Sequence, residues 1–174
     1  MNRKYRKAII AGNWKMNKLP SEAKPFVEEL RAAMPKEKTC ETVLCVPFPI
    51  TPAMARAMRD SRIAYGAQDV SEHASGAYTG ELSADMLKAC HVEYVIIGHS
   101  ERRQYFGETD KTVNQRALAA VENGLIPIIC VGEMKDEREA GYTDAIVTYQ
   151  TQMALTGMTA EQVKGVVIAY EPVW

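Results

Sequence analysis

A glutamate, a histidine, a lysine and an asparagine stand at or just past the ends of apolar segments in this 174-residue chain. Together they could remove a proton from a carbon beside a carbonyl. Glu171 follows Val166-Val167-Ile168-Ala169-Tyr170 and precedes Pro172, whose ring restricts the backbone before it and helps aim the carboxylate. His99 ends the segment Tyr94-Val95-Ile96-Ile97-Gly98. Gly98 permits close approach of backbone or ligand, and Ser100 is placed to cap a following turn. A helix starting at Ser100 would set positive charge near the imidazole and favour its neutral form. Lys15 follows Asn13 by two, so both face one side if the strand continues. In this scheme the glutamate is the base, the neutral donors stabilise an enediolate, and the lysine holds an anionic group. Singly, each residue has an ordinary alternative: a strand-end surface glutamate, a core or capping histidine, a solvated lysine.

These residues need elements to bring them together. Short apolar runs recur at Ala8–Ala11, Val43–Val46, Ile63–Ala67, Tyr94–Ile97, Leu125–Val131 and Val166–Tyr170. Their β-branched residues lack polar alternation, the pattern of parallel strands buried on both faces. Helical stripes separate them. One uses Phe26, Val27, Leu30, Ala33 and Met34 and stops at Pro35; another uses Val113, Ala117, Ala120 and Val121 and stops at Asn123-Gly124. Ala53–Met58 and Ala84–Ala89 read as shorter helices, and Asp144–Leu155 as a weaker one, since Thr148 and Thr151 lower its propensity. Alternating strands and helices fit a doubly wound sheet or a (βα) barrel. The first strand lacks a G-x-G-x-x-G loop, and Asn13, Lys15, Gln68, His99 and Glu171 spread the polar groups over several strand ends. That distribution points to a barrel, whose chemistry lies on its carboxyl-terminal face. With no linker or composition break, residues 1–174 read as one α/β domain with about six of a barrel's eight strands.

Apolar residues at 47% and charged residues at 25% describe an ordinary globular composition. A net charge of -1 leaves no basic field for nucleic acid or anionic lipid. The basic start, Met1 to Lys7, precedes an apolar run too short for a signal-peptide core, and no segment is long enough to span a membrane. Cys40, Cys45, Cys90 and Cys130 show no C-x-x-C spacing and read as buried reduced thiols. His73, His91 and His99 match no zinc spacing, so no metal is expected.

Four motifs in order resemble the triosephosphate isomerase family. Ala11-Gly12-Asn13-Trp14-Lys15-Met16-Asn17 is similar to its first active-site loop, and Gly76-Ala77-Tyr78-Thr79-Gly80-Glu81 to its interface loop. Val95 to Arg103 resembles its histidine segment, and Ala169 to Trp174 its glutamate segment; Cys130-Val131-Gly132-Glu133 also fits. The resemblance implies interconversion of glyceraldehyde 3-phosphate and dihydroxyacetone phosphate in the cytoplasm, within glycolysis and gluconeogenesis, without a cofactor. It implies Glu171 as the proton-shuttling base and His99 as the neutral electrophile. Lys15 stabilises charge on substrate, Asn13 assists at the oxygen, Glu101 orients Lys15, and Cys130 supports the site. It also implies a homodimer in which Gly76, Tyr78, Thr79 and Gly80 form the loop that enters the other subunit.

The family barrel has eight strands in about 250 residues. The chain is therefore expected to be the amino-terminal portion of one, lacking the last two strand-helix units and the body of the mobile lid. Its first and sixth strands become edges, and little isomerase activity is expected of these 174 residues alone. The alternative is a non-catalytic, self-associating fragment of the barrel.

Overall fold

The computed structural model describes residues 6–37, 39–59 and 61–174. Most of the basic start, residues 1–5, lies outside the described residues. Six strands form one all-parallel sheet: β1 (Ile9–Asn13), β2 (Glu41–Cys45), β3 (Ile63–Ala67), β4 (Tyr94–Ile97), β5 (Ile126–Val131) and β6 (Val167–Tyr170). Each pairs only with its neighbours in the chain, in the order β1-β2-β3-β4-β5-β6. A doubly wound sheet would reverse its order at a switch point. Here the order never reverses, so right-handed crossovers carry the helices to one face and the sheet curls as an incomplete barrel.

The helices are α1 (Pro20–Ala33), α2 (Thr51–Ala57), α3 (Ala84–Ala89), α4 (Ser100–Phe106), α5 (Asp110–Glu122), α6 (Lys135–Glu139), α7 (Thr143–Leu155) and α8 (Ala160–Gly165). Helix α1 starts earlier than its apolar stripe, because Pro20 suits a first helical position and the Glu22 side chain accepts from the Leu19 N–H at 2.7 Å. The threonines of α7 do not prevent it from forming, since it packs against α5 and β5. The short α6 and α8 carry too little apolar periodicity to be read from sequence.

Two apolar layers sandwich the sheet. Leu44, Val95, Ile97, Ile129 and Val131 face the helices and meet Val27, Leu87 and Val113. Val43, Cys45, Tyr94, Ile96, Ile128 and Cys130 point to the barrel interior. Burying each large aliphatic side chain contributes about 1.5–3 kcal/mol. The expectation of strands buried on both faces holds for β3 and β4 but fails for β1 and β6. Ile10 is 63% exposed, Ile168 39% and Tyr170 49%. These are edge strands: in β6 the exposed Ile168 and Tyr170 alternate with Val167 and Ala169, which join the interior cluster, whereas in β1 Ile9 joins that cluster but Ile10 and Ala11 are both exposed. Arg6 spans the gap between the edges at their amino-terminal ends, donating to the carbonyls of Lys164 at 3.3 Å and Val166 at 3.1 Å.

A charged cluster underlies the end of β3. Arg102 and Arg116 each reach Asp69 at 2.7 Å, Arg102 meets Glu108 at 2.5 Å, and Arg116 meets Glu81 at 3.3 Å and Glu72 at 3.4 Å. Four carboxylates thus surround two guanidiniums, and Asp69 Oδ1 is buried without a hydrogen bond. Burial pushes the Asp69 carboxyl up to about 6, against the pull of Arg116 and Arg102. A carboxyl raised above its unfolded value of 3.8 binds its proton more tightly in the fold. Ionised Asp69 therefore weakens the fold above about pH 6, and the penalty fades as pH falls toward 4. Asp69→Asn is expected to raise the melting temperature by roughly 3 °C at pH 7, with the gain shrinking toward pH 4. Thermal denaturation at both pH values checks this; a loss of stability at pH 7 contradicts it.

Candidate active site

The site is assembled where strands end. After β4, Gly98 turns the chain with φ +68, and a Cβ there would lie 2.7 Å from Val113 Cγ2, so conformation and packing both call for glycine. His99 is the residue that caps α4. Its Nδ1 accepts from the Glu101 backbone N–H at 3.1 Å, so the expected cap by Ser100 gives way to the imidazole, which reaches the free N–H groups of the first turn. An accepting Nδ1 carries no proton, which leaves the N–H of a neutral ring on Nε2. Nε2 faces Glu171 Oε1 at 3.3 Å. The functional and capping readings of His99 thus describe opposite edges of one ring.

Glu171 continues the ladder just beyond β6, its N–H donating to the Val131 carbonyl at 2.9 Å. Its Oε1 accepts from the Ser100 N–H at 3.3 Å, and its side chain remains 38% exposed. Opposite lies Gly132, where a Cβ would fall 2.0 Å from the Glu171 carbonyl oxygen; only glycine lets the two backbones approach so closely. Arg103 ties β4 to β5 with one guanidinium: it donates to the carbonyls of Gly98 at 2.9 Å and Cys130 at 3.4 Å, and pairs with Asp110 at 2.7 Å. Burial, reinforced by the Glu171 carboxylate, holds the Cys130 thiol far above its ordinary range, so it packs as a neutral thiol.

Lys15 does not continue β1. The strand stops at Asn13, and Lys15 has φ 52, so the expected two-residue facing is replaced by a turn. The Lys15 N–H donates to Asn13 Oδ1 at 3.0 Å. The Gln68 amide secures that turn, donating to Lys15 O at 2.9 Å, Cys45 O at 3.2 Å and Asn13 Oδ1 at 3.3 Å. The half-exposed ammonium then crosses to Glu101 Oε1 at 2.8 Å. The hydrogen bond raises the Lys15 ammonium and lowers the Glu101 carboxyl, so both stay charged through neutral pH. Asn13, Lys15, Gln68, His99 and Glu101 line one cleft of about 210 Å³.

Behind Glu171, the buried Glu133 accepts from Tyr170 at 3.0 Å and from Arg138 and Thr143 at 3.2 Å. Burial works to raise its carboxyl, but its own backbone N–H and those three donors outweigh it and keep the carboxyl low. Gly76, Tyr78, Thr79 and Gly80 lie apart from this cleft's lining, on an exposed loop. Gly76 and Gly80 take positive φ of 128 and 94, and Tyr78 stacks on His73 at 3.8 Å between ring centroids. All four cysteines are free; Cys45 and Cys130 are buried, whereas Cys40 and Cys90 are half-buried because they lie outside the strands. Among the described residues, no cluster of three or more His, Cys, Asp or Glu could hold a metal, and no helix is long and apolar enough to cross a membrane. Sequence reading missed the bracing by Gln68 and Arg103, and also that by Gln150, whose side-chain amide bonds the Gly132 N–H and carbonyl at 2.8 and 3.2 Å. Gln68 stood out as a strand-end polar residue, but nothing in the sequence tied Gln150 to the site.

The family model described as triosephosphate isomerase matches residues 8–174. The triosephosphate isomerase of Acetivibrio thermocellus is 54% identical over 97% of this chain and 67% of its own length. That of Solibacter usitatus is 51% identical over 97% of the chain and 68% of its own length, and that of Clostridium tetani 50% identical over 97% and 66%. The chain thus spans about two-thirds of the length of these curated relatives. Glu101→Gln is expected to bring the Lys15 ammonium down toward its ordinary value near 10.5. Nitrogen-detected NMR titration of Lys15 in both proteins reads this; an identical titration would show that the ion pair does not hold the ammonium.

Proposed function

The chain belongs to the triosephosphate isomerase family, and on that premise we propose that its own residues interconvert D-glyceraldehyde 3-phosphate and dihydroxyacetone phosphate. The observation that carries the assignment of roles is the pairing of Glu171 Oε1 with His99 Nε2 at 3.3 Å, the imidazole being capped on its other edge. Glu171 removes a proton from the carbon beside the carbonyl. The electron pair moves to the carbonyl oxygen, where the His99 Nε2–H donates and Asn13 assists. As the hydroxyl proton passes from the oxygen of the deprotonated carbon to the former carbonyl oxygen, the carboxylic acid returns its proton to the former carbonyl carbon of the planar enediolate, leaving the new carbonyl on the carbon first deprotonated. The hydrogen moves as a proton and carbon oxidation is exchanged within one molecule, so the reaction requires no redox cofactor. Lys15, held by Glu101, supplies positive charge to the substrate anion. Gln68 and Cys130 keep the surrounding backbone and packing in place.

Residues 1–174 act as one unit in this reading, and the cytoplasmic glycolytic and gluconeogenic pathway is its setting. The exposed loop of Gly76, Tyr78, Thr79 and Gly80 enters a second copy of the chain, giving a homodimer. Lys15 is 50% exposed in the isolated chain, so water reaches the place where charge develops and turnover by these 174 residues alone is weak. The exposed Ile10, Ile168 and Tyr170 on the edge strands favour a second reading, a non-catalytic segment that associates through those edges.

A glyceraldehyde 3-phosphate isomerisation assay separates the two. Glu171→Gln is expected to lower the rate by about 10²–10⁴-fold, the usual contribution of a positioned base. A measurable rate that is unchanged in Glu171→Gln overturns the catalytic assignment, and the complete absence of turnover in the folded chain supports the associating segment.

A further inference from the structure

Gly132 is buried one residue beyond the end of β5, where regular sheet pairing has already stopped on one side. Along a strand, successive residues turn their backbone groups to opposite neighbours. Val131 and Glu133 turn theirs toward β6: the Val131 carbonyl accepts from the Glu171 N–H at 2.9 Å, and the Glu133 carbonyl from the Val173 N–H at 3.0 Å. Gly132 turns the other way, toward the place of β4. But β4 ends at Ile97, and Gly98 bends the chain away. The missing ladder partner is replaced by a side chain. Gln150 Oε1 accepts from the Gly132 N–H at 2.8 Å, and Gln150 Nε2 donates to the Gly132 carbonyl at 3.2 Å. One amide thus satisfies both backbone groups, as a neighbouring strand would.

This bond pair bears on the base. Gly132 lies between the two carbonyls that hold residues 171–173, and its Cα has no room for a side chain against the Glu171 carbonyl. Any drift of Gly132 carries both anchors with it and moves the Glu171 carboxylate relative to His99 and Ser100. Glycine has no Cβ to limit that drift. We infer that Gln150, on the middle of α7, is a positioning residue for Glu171, acting through its paired hydrogen bonds to Gly132 rather than by touching substrate. The inference rests on Glu171 being the base. A displacement of about 1 Å in a reacting group can lower a rate by roughly 100-fold.

Two substitutions in the 174-residue chain test it. Gln150→Met keeps length and removes both bonds. Gln150→Glu as a carboxylate accepts from the Gly132 N–H but repels its carbonyl; protonated, it can accept and donate as the amide does. The readouts are hydrogen exchange at the Gly132 amide and the carbon NMR signal of the Glu171 carboxyl, assigned by its absence in Glu171→Gln. In Gln150→Met, exchange is expected to rise at least tenfold and the Glu171 signal to shift, with kcat down on the order of tenfold at unchanged KM. Gln150→Glu is expected to behave like Gln150→Met at pH 8 and to return toward the parent protein as pH falls and its own carboxyl protonates. That reversal is read within one folded protein, so it holds even where Gln150→Met fails to fold, and a packing role would not produce it. Faster exchange at Gly132 with an unmoved Glu171 signal overturns the inference, as does the absence of any pH reversal. These spectra do not require turnover, so failure here is distinct from a failure of Glu171 as base, which appears as activity surviving Glu171→Gln.

Discussion

A parallel strand that ends leaves backbone N–H and C=O groups without a ladder partner, and the structure depends on how those groups are satisfied. The proposed catalytic groups stand at such ends. The side chains that answer the orphaned groups are the same ones that hold the site. The His99 ring caps the first turn of α4 with one nitrogen and presents the other to Glu171. Gln68 collects three acceptors around the end of β1, Arg103 joins the ends of β4 and β5, and Gln150 stands in for a strand beside Gly132. Satisfying the backbone and positioning the chemistry are one task here, because a buried unpaired amide costs about 1–3 kcal/mol.

Charge follows the same economy. Lys15 and Glu101 are too exposed for their pairing to contribute much stability; its consequence is to fix where an ammonium stands. The cluster around Asp69 differs. It is largely buried, it holds more carboxylates than guanidiniums, and it leaves acceptor oxygens unmatched. An arrangement that strains stability beside a proposed site fits the tendency of functional regions to retain unfavourable charge.

The central strands were legible because β3 and β4 are buried on both faces, and only continuous apolar runs survive there. The same pattern misled at β1 and β6, whose composition matches the interior strands although half their side chains meet solvent. Composition records which face a strand could bury, and the neighbours decide whether it does. Glu171, His99, Lys15 and Asn13 were legible as candidates because polar residues after apolar runs are conspicuous. The facing of Lys15 was not, since it sits in a turn at positive φ whose carbonyl is held by Gln68, a residue just past β3 and far away in the chain.

The sequence by itself determined the alternation of strands and helices, the places where chemistry-bearing residues interrupt them, and the family to which the motifs belong. These follow from local patterns: apolar period, turn residues and short motifs. Only the tertiary structure decided that the strand order never reverses, that the Nε2 edge of His99 faces Glu171, and that a glutamine on α7 completes the end of β5. Each of these joins residues far apart in the chain, by hydrogen bonds or packing whose geometry no local spacing encodes.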